Sequence, residues 1–221
     1  WFVRLRFPGA EHTAVVDGLP EGWQRMALAS VCSKIGSGFT PRGGESSYVE
    51  SGTPLIRSQN VYDDRFDDGG LAYLTDDQAE EMEGVSVLPR DILLNITGAS
   101  VARCCMAPDT YLPARVNQHV MIIRVTNPSV SPHFVLRALN GDLHKRQLLS
   151  MAQKGATRQA LTKEMVEDFE IVIPSEALMR EFGEQMEANH RLLTNLARQN
   201  RLLRTARDLL LPRLMSGQLT V

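Results

Sequence analysis

The chain reads as an α+β domain of mixed strands and helices, followed by one long α-helix. Two patterns carry that reading. Short apolar or β-branched runs bounded by turn formers, at 54–61, 91–97, 119–125 and 168–173, are interspersed with helical patterns at 76–82 and 132–149. From 175 to 211 a helical pattern then runs between Pro174 and Pro212, weakened only by Gly183. At 1.5 Å per residue such a helix extends roughly 54 Å, well beyond the three or four turns usual in a domain.

Taken in order, residues 1–7 are short and alternating, and they run into Pro8-Gly9 and a polar stretch ending at Leu19-Pro20-Glu21-Gly22-Trp23. This reads as the tail of a preceding region and a linker, 1–22. The domain is expected over 23–174, and the helical arm with its tail over 175–221. Residues 24–35 suit a short strand and helix, and Gly36-Ser37-Gly38-Phe39-Thr40-Pro41-Arg42-Gly43-Gly44 a loop that permits close backbone approach. It is no dinucleotide fingerprint, because Pro41 stands where the third glycine would fall, and it lacks the Gly-Lys-Thr ending of a P-loop. The 132–149 pattern carries Phe134, Val135, Leu139, Leu143 and Leu148 on a helical spacing.

The long helix places Met186, Leu193, Leu196, Leu203 and Leu210 at alternating three- and four-residue intervals, interrupted by Asn189 and Asn200. That is the spacing of a coiled-coil seam, in which polar residues fix register at some cost in stability, and it implies a partner helix. The alternative is a stripe of Leu192, Leu202 and Leu209 packed back on the domain.

Of the 221 residues, 43% are hydrophobic and 23% charged, as in ordinary soluble proteins, and no run approaches the 18 apolar residues of a membrane span. The start shows no signal peptide, so a cytoplasmic protein without a membrane segment is expected. Cys32, Cys104 and Cys105 form no Cys-x-x-Cys pair and read as reduced, mostly buried thiols. The Asn95-Ile96-Thr97 sequon then has no meaning, since it matters only in secreted chains.

Net charge is −2, too low for a protein that holds nucleic acid by bulk charge alone. It is unevenly spread: the formal balance is −6 over 24–83, +3 over 84–175 and +2 from 176 onward. Asp63, Asp64, Asp67 and Asp68 read as a solvated acidic turn that would repel a phosphate backbone, and their spacing is not that of a Ca²⁺ loop.

Catalytic constellations are sparse. His12, His119, His133, His144 and His190 show no metal-ligand spacing, and there is no Gly-x-Ser-x-Gly elbow. No metal or cofactor is expected, and an Asp91/Lys154 nuclease site remains a minor alternative. Polar clusters at strand ends are more suggestive: Arg57-Ser58-Gln59-Asn60, the run from Asn95 to Arg103, Asn117-Gln118-His119, and the basic loop from Lys154 to Gln159. Arginine pairs bidentately with guanine, and Asn or Gln with adenine, in the major groove; buried hydrogen bonds tying loop to strand are the competing use of the same side chains.

The order of segments Ile35-Gly36-Ser37-Gly38-Phe39-Thr40-Pro41, Pro54-Leu55-Ile56-Arg57-Ser58-Gln59-Asn60-Val61, Asp91-Ile92-Leu93-Leu94-Asn95-Ile96-Thr97-Gly98, Asn117-Gln118-His119-Val120 and Gly155-Ala156-Thr157-Arg158-Gln159-Ala160-Leu161-Thr162 resembles the target-recognition domain of type I restriction-modification specificity subunits. The likeness continues through the long helix to Leu209-Leu210-Leu211-Pro212-Arg213-Leu214-Met215-Ser216-Gly217. It implies a non-catalytic adaptor that binds double-stranded DNA at a bipartite target. Its partners would be a methyltransferase (M) subunit and an ATP-dependent translocating restriction (R) subunit. The residues expected to contact DNA are Arg42, Arg57, Ser58, Gln59, Asn60, Lys154, Arg158 and Gln159; Met186, Asn189, Leu193, Leu196, Asn200, Leu203 and Leu210 would face a partner helix. Members of the family commonly carry two recognition domains and two long helices, whereas this chain has one of each. Either a homodimer of half-subunits or the second half of a longer chain would supply the other. The alternative in another class is a coiled-coil assembly module that never binds DNA.

Overall fold

The run Ile92–Asn95 is apolar at every position but the last, because both of its faces are covered. In the computed structural model, which describes residues 1–2, 5–153 and 159–218, this strand lies inside a four-stranded antiparallel sheet. The strand order is Cys104–Met106, Ile92–Asn95, Val120–Val125 and Cys32–Ser37. Period-2 alternation divides its side chains. Ile92, Leu94, Met121 and Ile123 pack with Phe134, Val135, Leu139, Leu148 and Val166 from the helices Pro132–Asn140, Asp142–Gln153 and Lys163–Glu167. Leu93, Cys105, Val120 and Ile122 face Ile56, Val87, Ala114 and Val116.

Those last four belong to a second sheet, ordered Ala72–Leu74, Thr53–Ile56, Ala114–Val116 and Ser86–Val87, in which only the pairing of Thr53–Ile56 with Ala114–Val116 is parallel. Leu55, Ala72 and Leu74 on its other face cover Ala79 and Met82 at the helix Asp76–Glu81. The layers of this unit, Trp1–Gly183, are thus helices, sheet, sheet and helix, a mixed α/β arrangement in keeping with the α+β expectation. A two-stranded ribbon of Gln24–Ala27 with Glu170–Ile173 joins its two ends. Phe2 packs its ring against Trp23, Phe134 and Phe182, and Phe7 packs against Trp23, within the same unit.

Three expected elements differ in extent. The strand expected over 54–61 stops at Ile56, because the Asn60 carboxamide accepts from the Arg57 N–H at 3.0 Å and closes a helical turn over Ser58–Asn60. The helix expected over 132–149 is two helices, since Gly141 is extended (φ −65°, ψ 141°); past that break Leu143 turns to solvent, 55% exposed. The loop expected from Gly36 begins after Ser37, the end of strand Cys32–Ser37.

The long helix spans Glu176–Met215, 40 residues, and continues through Pro212 for a further turn rather than ending before it. Its residues Leu178 and Met179 are buried in the first unit. In the second unit, Glu184–Val221, the exposed leucines fall mostly in adjacent groups, Leu192–Leu193, Leu202–Leu203 and Leu209–Leu210–Leu211, with Leu196 and Leu214 also exposed. Among the described residues no helix is long and apolar enough to cross a membrane.

Candidate nucleic-acid interface

Two strand ends lay down the site. Met121 pairs with Ser37, so the loop that leaves Cys32–Ser37 meets the loop that enters Val120–Val125. There the Gly38 N–H donates to the Asn117 carbonyl at 3.1 Å. The approach is so close that a Cβ on Gly38 would lie 1.7 Å from the Val116 carbonyl oxygen, which leaves room for glycine alone. The Asn117 N–H donates to the Ile56 carbonyl at 3.1 Å, and the Asn95 side-chain amide donates to the carbonyls of Ser58 (2.9 Å) and Val61 (3.2 Å). Ile96 N–H donates to His119 O, Leu161 N–H to Ile96 O and Gly98 N–H to Gln159 O, at 3.0, 2.8 and 3.0 Å. The five segments that carry the sequence resemblance are therefore knitted into one loop cluster, and several of their polar groups serve as the knots.

Side chains extend the network toward solvent. Thr40 Oγ1 donates to Gln118 Oε1 at 2.5 Å, Gln118 Nε2 lies 3.2 Å from His119 Nε2, and Thr97 Oγ1 lies 2.6 Å from His119 Nδ1. Asn117 Oδ1 accepts from the His119 N–H at 3.1 Å. Gln118 and Thr40 are exposed, as is the Phe39 ring. Of these, Thr40, Thr97, Gln118 and His119 are not among the residues that sequence reasoning selected. Their signals were the Asn117-Gln118-His119 run at a strand start, the run from Asn95 to Arg103 that holds Thr97, and the glycine-rich loop that holds Thr40.

The selected residues divide by exposure. Asn60 is fully buried, and its amide nitrogen donates to the carbonyls of Asp67 (2.9 Å) and Gly69 (3.4 Å). Arg57 is largely covered: its Nη1 donates to Glu45 Oε1 and its Nη2 to Gly70 O, both at 2.8 Å, while its guanidinium sits 5.5 Å from the Tyr48 ring centre. Ser58 is half-buried. Gln59 is exposed and makes one long bond to Gly70 O, 3.3 Å. Arg42 and Gln159 are exposed, and both offer backbone carbonyls to neighbouring loops. Lys154 and Arg158 lie outside the described residues.

The acidic turn is less negative than its sequence. Asp63 accepts from Lys145 Nζ at 2.6 Å and Asp64 from Arg137 Nη1 at 2.9 Å, while Asn140 bridges Asp64 and the Cys104 carbonyl. Asp68 accepts from the Tyr111 hydroxyl. The turn is thereby fastened to two helices instead of standing free in solvent.

Asp91 is wholly buried and bidentate with Arg124, 2.8 Å from Nε to Oδ1 and 2.7 Å from Nη2 to Oδ2, with the Leu88 N–H also donating to Oδ2. That bonding and burial make Asp91 half of a structural ion pair and withdraw it from a nuclease centre. Among the described residues no group of three His, Cys, Asp or Glu side chains is placed to hold a metal ion.

No family model matches the chain. It is 23% identical over 204 residues to the specificity subunit of the type I restriction enzyme HindI from Haemophilus influenzae, a match that spans 91% of this chain and 42% of that protein. Among solved structures it is similar to a chain of a type I restriction-modification system studied for complex assembly and conformational transition (TM-score 0.57, 20% identity, 92% of this chain and 48% of that one). It is also similar to the HsdS subunit of Thermoanaerobacter tengcongensis (TM-score 0.56, 20% identity, 86% and 43%) and to the type I S subunit of M. genitalium (TM-score 0.59, 14% identity, 86% and 45%). The chain spans less than half the length of each. One mixed α/β domain with one long helix after it, and a shared run of sequence, align this chain with the type I restriction-modification specificity subunits.

Proposed function

We propose that this chain is the DNA-recognition half of a type I restriction-modification specificity subunit, without catalytic activity of its own. It would direct a methyltransferase subunit and a restriction subunit to one half of a bipartite target, on cytoplasmic DNA. The observation that carries the reading is the loop cluster. Five separate segments are held together by main-chain bonds, and the same cluster leaves Thr40, Arg42, Gln59, Gln118 and Gln159 exposed. Rigid support beneath a few polar side chains is what base reading needs, since a loosely held amide would satisfy any base.

Within this reading Arg57 and Asn60 hold the loop, while Arg42, Gln59 and Gln159 face the DNA, with Lys154 and Arg158 preceding Gln159 in sequence. A phosphate contact and a base contact have different signatures. Arg42→Ala should weaken binding by a similar factor on every duplex and reduce the salt slope by about one, whereas Gln59→Ala should weaken matched duplex alone. Fluorescence anisotropy on matched and mismatched duplexes, with and without the methyltransferase subunit, tests this. An absence of duplex affinity under both conditions would leave the assembly-module reading, which the exposed leucines of the long helix favour.

The helix bearing Met186, Asn189, Leu193, Leu196, Asn200, Leu203 and Leu210 is proposed to pair with a second long helix. That helix comes from a second copy of the chain or from another half of a longer subunit.

A further inference from the structure

We infer that Gln118 reads an adenine and that His119 is the residue that orients it. The inference rests on the DNA-recognition reading above and adds to it a base-specific residue and its support.

The argument turns on which atom donates in each bond. Thr40 brings a hydroxyl to Gln118 Oε1 (2.5 Å), and an oxygen acceptor there places the amide nitrogen against His119 Nε2 (3.2 Å). An amide nitrogen has only protons to offer, so Nε2 must present a lone pair. The Thr97 hydroxyl, 2.6 Å from His119 Nδ1, can donate or accept and so completes the network on the far side of the ring. The His119 main chain is fixed as well, its N–H held by Asn117 Oδ1 and its carbonyl by the Ile96 N–H. Three loops thus hold one exposed amide in place.

A primary amide has two N–H donors and two oxygen lone pairs. His119 uses one donor position and Thr40 one acceptor position, which leaves one donor and one acceptor of the amide for a ligand. That is the complement of the adenine major-groove edge, where N7 accepts and the 6-amino group donates. A rotation of the amide by 180° would be met by reversed hydroxyls and the other imidazole tautomer, so what Thr40 and His119 fix is the place and plane of the amide, with one donor and one acceptor free in either orientation. His119 is therefore a positioning residue and Gln118 the contact.

The test is selection of bound duplexes from a library with a randomised core, using the full chain together with the methyltransferase subunit, followed by sequencing of the bound pool. For the unaltered protein the pool should converge on a motif. With Gln118→Ala, one adenine position should become degenerate while the others persist, with binding to the matched duplex falling roughly 5- to 150-fold, as expected for loss of one bidentate pair. Gln118→Glu should move the same position toward cytosine, whose amino group a carboxylate can accept. His119→Leu should loosen that same position and no other, and His119→Gln, which restores an acceptor, should recover it. That recovery separates positioning from mere support of the fold, and a thermal melt of each variant checks folding directly. An unchanged motif in Gln118→Ala, or degeneracy at a base other than adenine, overturns the inference while the recognition reading stands. If the unaltered protein converges on no motif, the recognition reading falls and this inference falls with it.

Discussion

Arg124 and Asp91 show how much a single pair can hold in this core. Asp91 is inaccessible, all three of its hydrogen bonds come from the Arg124 guanidinium and the Leu88 N–H, and the bond to Asp91 holds the Arg124 proton more firmly than usual. Arg124 also donates to the Ser86 carbonyl at 2.8 Å, so one guanidinium ties the two sheets together. Asp91→Asn keeps the shape and removes the charge, stranding a cation whose partner is gone. Stability should fall by about 3 kcal/mol, the usual result of breaking a buried pair from one side, seen as a lower urea midpoint at unchanged slope. A loss below about 0.5 kcal/mol, the range of ordinary surface substitutions, would mean that Arg124 finds solvent instead. The cysteines give a second test at this scale. Burial pushes the Cys105 thiol up to about 12 and the Cys104 thiol higher still, so at neutral pH both stay protonated and unreactive. Half-buried Cys32 is raised to about 12 by the same cause. A thiol-titration reagent should find almost no reactive cysteine in the native protein and all three after unfolding; fast labelling of the native state would show that the Cys104–Met106 strand opens.

At the scale of elements, the meeting of the Gly38 and Asn117 loops is the tightest joint. A methyl group on Gly38 would overlap the Val116 carbonyl and approach its carbon to 2.6 Å, both of them backbone atoms that no side-chain rotation can clear. Gly38→Ala should therefore cost about 1–3 kcal/mol, as overpacking does, and should disturb the Thr40–Gln118 contact, so that sequence discrimination suffers more than affinity for unrelated duplex. Equal discrimination by this variant and the unaltered chain would separate the joint from recognition. The same joint marks the boundary of what the sequence discloses. The strands Ile92–Asn95 and Val120–Val125 were readable because a continuous apolar run needs covered faces, and Glu170–Ile173 because a β-branched run ends at Pro174. The strands Ala72–Leu74 and Ala114–Val116 were not, since three residues establish no period. Arg57 and Asn60 carry the residue types of base readers, yet Asn60 is spent on a turn and Arg57 on Glu45 and Gly70. Donor inventories are a property of residue type, but their free share depends on neighbours far away in sequence, such as Glu45 for Arg57 or Ser58 for Asn95. Gln118 was overlooked for the mirror-image reason: its placement depends on Thr40, distant in sequence, and on the His119 ring beside it, neither of which composition records.

For the whole molecule the open quantity is how many copies of the long helix come together. Within Glu184–Val221 the described residues present Leu192, Leu193, Leu196, Leu202, Leu203, Leu209, Leu210 and Leu214 to solvent in this single chain, Leu193 and Leu203 being 65% and 66% exposed. Covering a leucine side chain contributes about 1.5–3 kcal/mol, so pairing such a stripe is worth far more than the few tenths that ion pairs such as Arg191–Glu187 add along the helix. The adjacent leucine pairs make the face broader than a one-residue seam, as a straight helix drifting about 20° per heptad requires. Charge then offers a clean disruption. Leu193→Lys with Leu203→Lys removes two apolar contacts at seam positions and sets like charges across the axis of any symmetric pair, while leaving helix propensity almost unchanged. Light scattering of the unaltered chain at rising concentration should give twice the chain mass, and the double variant the single mass, with the loop cluster's resistance to urea the same in both. Were the unaltered chain to remain at single mass but join the methyltransferase subunit, the second long helix would come from another half of a longer subunit, and the double variant should then fail to bind that half when it is added as a separate chain. Equal masses and equal partner binding in both forms would remove the leucine stripe from assembly altogether.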